Sequence, residues 1–198
     1  MVMIHVKSEG DEEKQFLYDC LCSSTIDEIA HRMLDIADLQ SHILTLSLHL
    51  RRHLLTDHLR ESYPDFSVSL DRTLSEAQAY ASKDQVLHKR ALSSRLLRDH
   101  IHCIEREVQV ARSMGLVDAS LPQLLTDGNL SKGTKLWWAG KELSWGKRLS
   151  EYIGNNEKTK VNTPFCENFV AAASFNLGLA YVFQNIVFQI VVTLKPAH

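Results

Sequence analysis

Ten histidines and four cysteines supply the residue types from which metal sites and nucleophiles are made. His49 and His53 stand four apart, the spacing that turns two imidazoles to one side of a helix, with His58 beyond. His100, His102 and Cys103 form a second cluster. Neither has the cysteine pairs or carboxylate helper, at a recognised spacing, that a zinc site uses. Both read as solvated or edge histidines on amphipathic helices, and no metal is assigned. Cys103 near His100 has the makings of a thiol nucleophile and its base, but such a cysteine is commonly a small buried hydrophobe. The chain carries no serine elbow, phosphate-binding glycine loop or dinucleotide fingerprint. It reads as a non-enzyme with no cofactor.

Cys20 and Cys22 are separated by one residue, too close for an ordinary disulfide. The opening Met1 to Lys7 is followed at once by Glu9, Asp11, Glu12 and Glu13, and no uninterrupted apolar core of an export signal is present. Reduced cytosolic thiols are therefore expected, and the triplet Asn129-Leu130-Ser131 carries no glycosylation meaning.

Recognition chemistry is better represented. Trp137 and Trp138 are adjacent, inside a pattern that predicts a helix capped by Ser131 and running to Gly154. Neighbours on a helix lie about 100° apart, so the two indoles cannot both enter a narrow core. Two readings weigh equally: one ring is exposed as a partner anchor, or the chain buries both sides of the helix. Gly140 and Gly146 each weaken such a helix by about 1 kcal/mol relative to alanine, so packing must hold it. The polar run from Asn155 to Lys160 reads either as a surface for an acidic partner or as a solvated helix exit.

The elements that position these residues follow from periodicity. Val2, Ile4 and Val6 alternate with Met3, His5 and Lys7, a half-buried strand, and residues 15–20 read as its hairpin partner. Thr25 with Glu28 forms a capping box, and Ile26, Ile29, Ala30, Met33 and Ala37 fall on one helical face behind it. A hairpin followed by such a helix is how a ubiquitin-like unit opens. Ile43, Leu44, Leu46, Leu48 and Leu50 fit a further strand or more helix. Tyr63-Pro64-Asp65 marks a break. Leu97, Ile101, Ile104, Val108 and Ala111 then form a helical stripe that stops at Met114-Gly115.

Composition bounds the classes. The 198 residues are 44% hydrophobic and 23% charged, which suits one globular domain or two small ones. Twenty-two basic against 24 acidic residues exert no general pull on nucleic acid. No charge occurs from Asn168 to Leu194. A segment opening at Phe169 and closing at Leu194 is long enough to span a bilayer, but Asn176, Gln184, Asn185 and Gln189 oppose insertion. A buried or strand-like segment is the other reading.

The stretch Leu136-Trp137-Trp138-Ala139-Gly140-Lys141-Glu142-Leu143, continued by residues 147–160, resembles the Kurly family of cilia- and flagella-associated proteins. Residues 1–6, Gln15-Phe16-Leu17 and the helix over 25–37 are also similar to that family, and a weaker likeness runs from Leu74 to Leu116. Residues 38–73 depart from its pattern. So does the stretch after Val161, where the family continues with charged sequence. The departure looks like an alternative carboxyl end. The resemblance implies a non-enzymatic factor for building or docking outer dynein arms, with a link to planar polarity, acting in cytoplasm, cilium or flagellum, and also nucleus. Its implied partners are proteins of the dynein-arm assembly machinery, not nucleic acid. Trp137, Trp138, Lys141, Lys147, Tyr152, Lys158 and Lys160 are the implied partner-binding candidates.

The expectation is thus a mainly helical α+β protein. Residues 1–60 make a partial ubiquitin-like hairpin–helix unit, 71–160 a helical module with the Trp-Trp helix, and 161–198 a divergent apolar tail. A tail-anchored membrane adaptor is the alternative.

Overall fold

A computed structural model describes residues 2–8, 11–116, 135–138, 141–154 and 187–193. Strands β1 (Val2–Ser8) and β2 (Asp11–Cys20) pair antiparallel, with Val2 opposite Cys20 and Lys7 opposite Gln15. The alternation sorts the faces: Val2, Ile4, Val6, Phe16 and Cys20 are buried together, while Met3, His5 and Lys7 are only half-buried. On the second face His5 Nε2 lies 2.9 Å from Gln15 Oε1, and burial holds the imidazole below its ordinary value.

The capping box forms as the spacing requires. Glu28 N–H donates to Thr25 Oγ1 at 3.2 Å, and Thr25 N–H donates to Glu28 Oε2 at 3.3 Å. From it springs α1 (Ile26–His53), 28 residues long. Residues 43–50 therefore belong to this helix and not to a strand. Ile43, Leu46, Ser47 and Leu50 are buried at helical spacing while Leu48 is exposed, so the apparent leucine alternation is incidental. A short α2 (Asp57–Ser62) ends at Tyr63, and Pro64 opens α3 (Pro64–Ala81) at a position where its missing N–H costs nothing. The Tyr63-Pro64 break is a joint between packed helices: side chains from Val2 to Leu149 belong to one buried cluster.

Arg51 ties α1 to α3. Its guanidinium pairs with the Asp71 carboxylate and donates to Ser75 Oγ at 2.6 Å and Gln78 Oε1 at 3.1 Å. Gln40, fully buried, joins three elements: Nε2 donates to Ala81 O at 2.7 Å and to Gln15 O at 3.4 Å, satisfying a carbonyl at the end of α3. A short α4 (Asp84–Leu87) leads to Leu92, whose N–H donates to Leu17 O at 2.8 Å and blunts the outer edge of β2. Helix α5 (Ser94–Ser113) buries Leu97, Ile104, Val108 and Ala111, with Ile101 at the margin, and ends at Met114 and Gly115, whose φ is +72°.

The expected helix from Ser131 to Gly154 does not form. Lys135–Trp138 is strand β3, Lys141–Glu142 is strand β4, and of the described residues there only Ser150–Ile153 is helical, as α6; Ser131 itself lies outside the described residues. Aromatic residues suit a pleated surface and glycine disfavours a helix interior, and the hairpin still buries both Leu136 and Leu143. Their backbones are bonded accordingly, Leu143 N–H to Leu136 O at 2.8 Å. Strand β5 (Val187–Thr193) completes a five-stranded sheet of order β2-β1-β5-β3-β4. It runs antiparallel to β1, with Val6 opposite Ile190, and parallel to β3, with Trp137 opposite Gln189. The architecture is α+β and mainly helical, opening with a hairpin and helix.

Among the described residues no helix is long and apolar enough to cross a membrane. The described part of the segment from Phe169 to Leu194 is strand β5 instead of a helix. Its remainder, and the polar run 155–160, lie outside the described residues.

Candidate interaction surface

Residues 135–138 and 141–154 fold as strand, strand, turn and short helix, docked on the junction between β2 and α1. Leu143 and Leu149 are buried there. Three backbone bonds fix the segment: Ile26 N–H to Lys147 O at 2.8 Å, Leu149 N–H to Ser24 O at 3.0 Å, and Ser150 N–H to Cys22 O at 2.8 Å. Gly146 sits at φ +78°, where L side chains are strained, and its N–H donates to Asp27 Oδ2 at 2.6 Å. These contacts carry Trp145 at the turn with 54% of its surface exposed.

Because β3 is a strand, the neighbouring indoles part to opposite faces instead of lying about 100° apart. Leu136 is buried, and Trp138, two residues on, packs against the core. Trp138 Nε1 is withdrawn from water with no hydrogen-bond partner among the described residues. Trp137 is half-buried on the other face. Lys141 and Lys147 are exposed, and Tyr152 is half-buried with Lys147 Nζ 5.8 Å from its ring centroid, within cation–π range. The Tyr152 hydroxyl accepts from Ser144 N–H at 2.8 Å. Hydrogen bonds from the Ser144 side chain and backbone, aided by the Lys147 charge, hold this phenol below its ordinary value. The fold thus brings Lys147 and Tyr152 together. Lys158 and Lys160 lie outside the described residues.

Trp145 recurs at helical spacing with Trp138, Leu149 and Tyr152, a pattern that hides its exposure, while Gly146 beside it carries the turn signal.

The residues that suggested catalysis have other neighbours. The His49 and His53 rings lie 4.3 Å apart, and His100 sits 5.1 Å from Tyr80. His102 Nδ1 meets Glu105 Oε2 at 2.9 Å, and Arg106 Nη2 points at Cys103 Sγ at 3.1 Å. Among the described residues no three His, Cys, Asp or Glu side chains gather as metal ligands. Burial, reinforced by Asp19, pushes the Cys20 thiol up to about 12, which makes it a core side chain and a poor nucleophile.

The surface just described falls within the stretch that matches known proteins. Residues 134–174 match the family model of cilia- and flagella-associated protein 298. The chain is 33% identical over 110 residues to cilia- and flagella-associated protein 298 of Danio rerio, the match covering 46% of this chain and 36% of the relative. It is 32% identical over 105 residues to the Homo sapiens protein of that name, again with 46% and 36% covered. To cilia- and flagella-associated protein 298-B of Xenopus laevis it is 30% identical over 105 residues, with 46% and 38% covered. The chain thus spans little more than a third of the length of these relatives. No solved structure matches it.

Proposed function

We infer that the chain is a non-enzymatic protein-interaction factor associated with cilia or flagella, which supports assembly or docking of outer dynein arms and thereby motility. The observation that carries this reading is the family-matched stretch, whose turn holds Trp145 outward on a backbone-anchored frame. A large ring carried on a turn whose backbone is already anchored saves the entropy of ordering that turn on binding, the property of an interface anchor. Trp137 on the outer sheet face, Lys141, Lys147 and Tyr152 form the adjoining surface, with Lys158 and Lys160 as its continuation in sequence. The partners are proteins of the arm-assembly machinery, met in the cytoplasm, at the cilium or in the nucleus.

The test is rescue. Motile ciliated cells depleted of the related protein are made to express this chain, and outer arms are scored by electron microscopy beside beat frequency. Restored arms with the wild-type chain, lost with the double variant Trp137→Ala and Trp145→Ala at equal protein level, support the reading. Arms restored equally by the variant, or not at all by the wild type, overturn it.

A further inference from the structure

Helix α5 has two apolar stripes, and the chain buries one of them. Leu97, Ile104, Val108 and Ala111 face the core, while Leu96, Val110 and Met114 keep 47%, 41% and 41% of their surface exposed. At about 100° per residue, Leu96, Cys103, Val110 and Met114 fall within roughly 40° of one another around the helix, well to the side of the buried stripe. Cys103, half-buried, stands midway along it, seven residues after Leu96 and seven before Val110. Single exposed apolar side chains are ordinary on a surface, but four aligned over about five turns of one helix mark a face suited to a partner.

The polar residues beside the stripe repeat the same symmetry. Asp99 lies four residues before Cys103 and Arg106 three after it, both exposed and both along one flank. Arg106 Nη2 rests 3.1 Å from Cys103 Sγ, which holds the guanidinium at the edge of the stripe. On the opposite flank His100 stands three residues before Cys103 and Glu107 four after. The Tyr80 ring steadies His100 at 5.1 Å, and the Ser69 hydroxyl donates to Glu107 Oε1 at 3.0 Å. A two-fold axis through Cys103 sets Leu96 of one copy beside Val110 of the other, Asp99 beside Arg106, and His100 beside Glu107, each pair occurring twice.

We propose that this face of α5 is an interface with a second copy of the chain, the two helices running antiparallel about Cys103. An apolar face that meets its own copy needs unlike charges on its flanks at positions the two-fold axis exchanges, and this sequence supplies them. The antiparallel sense also opposes the two helix macrodipoles favourably and keeps Arg95 and Arg98, near the start of α5, at opposite ends of the pair. From Leu96 to Val110 the helix is about 21 Å long, which makes a small interface and a pair of micromolar affinity. The inference concerns α5 alone and does not rest on the reading given for the Trp145 turn.

Sedimentation equilibrium of the full chain, from micromolar to submillimolar protein, should show a monomer–dimer equilibrium. Val110→Glu should weaken it roughly tenfold or more, because it puts an unpaired charge into the apolar contact. Asp99→Arg should weaken it about tenfold, since it turns two attractive pairs into repulsive ones. The charge swap, Asp99→Arg with Arg106→Asp in the same chain, should restore the dimer, because each unlike pair is remade with its sign reversed. A short bismaleimide should join two chains through Cys103 in a Cys166→Ser background, and Val110→Glu should lose that product. These side chains lie on the surface, so circular-dichroism melts of the variants at submicromolar protein should coincide with the wild type. A chain that stays monomeric throughout, a dimer indifferent to Val110→Glu, or a folded charge swap that fails to recover what Asp99→Arg lost overturns the proposal.

Discussion

Replacing Gly146 by alanine tests how the Trp145 turn is held. A Cβ built on Gly146 meets nothing within 4 Å, so crowding plays no part in the outcome. The cost comes from the backbone, which sits at φ +78°, and for an L residue at positive φ it is about 1–2 kcal/mol. A penalty of that size lowers a local closed-to-open ratio by roughly 5–30-fold. The amide to follow is that of Gly146 itself, which donates to Asp27 Oδ2 at 2.6 Å and should exchange that much faster with solvent once residue 146 is alanine. Asparagine tolerates the left-handed region better than alanine, so Gly146→Asn should fall between the two. Hydrogen exchange read by NMR, with Trp145 quenching in a Trp137→Phe, Trp138→Phe background, gives the order Gly, Asn, Ala from most to least protected. Equal protection in all three would refute the claim that a left-handed glycine sets the turn.

Three further outcomes follow from the same geometry. Trp138→Phe should be close to neutral, because it keeps the core packing and removes an indole N–H that has no partner, whereas Trp138→Ala should cost ~3 kcal/mol in denaturant unfolding. The Cys20 proton leaves the unfolded chain near the ordinary 9.0 but is held in the fold up to about 12; its contribution is intact below pH 9 and declines as pH rises toward 12. Urea midpoints across that range should fall less steeply in Cys20→Ala, and thiol reagents at pH 8 should label half-exposed Cys103 before Cys20. Ultraviolet titration should show Tyr152 ionising before, and Tyr18 after, an ordinary phenol, since Ser144 bonds favour one phenolate and burial opposes the other; Tyr152→Phe should remove the early phase.

The elements legible in the sequence were those whose signals are local. The hairpin over Val2 to Cys20 has a period of two, Thr25 and Glu28 cap each other three residues apart, and the α5 stripe needs only its own helix to make sense. Residues 43–50 satisfied two periods at once, and only packing against α3 and α5 selects the helix. The β3–β4 region misled because Trp138, Trp145, Leu149 and Tyr152 recur at helical intervals. That spacing results from a hairpin, a turn and a helical turn in succession. Trp145 is exposed because the turn residues after it bond to Ser24, Cys22 and Asp27, contacts spanning more than a hundred positions that no local pattern encodes.

The place of β5 has a consequence for how the chain is made. The strand between β1 and β3 comes from residues 187–193, so the inner edge of β1 receives its partner only after that distant stretch has left the ribosome. Until then an open row of amides and carbonyls faces whatever is nearby, the situation in which nascent chains associate wrongly or are shielded by chaperones. The hairpin over Val2–Cys20 thus reaches its final form only once the distant residues 187–193 have been added.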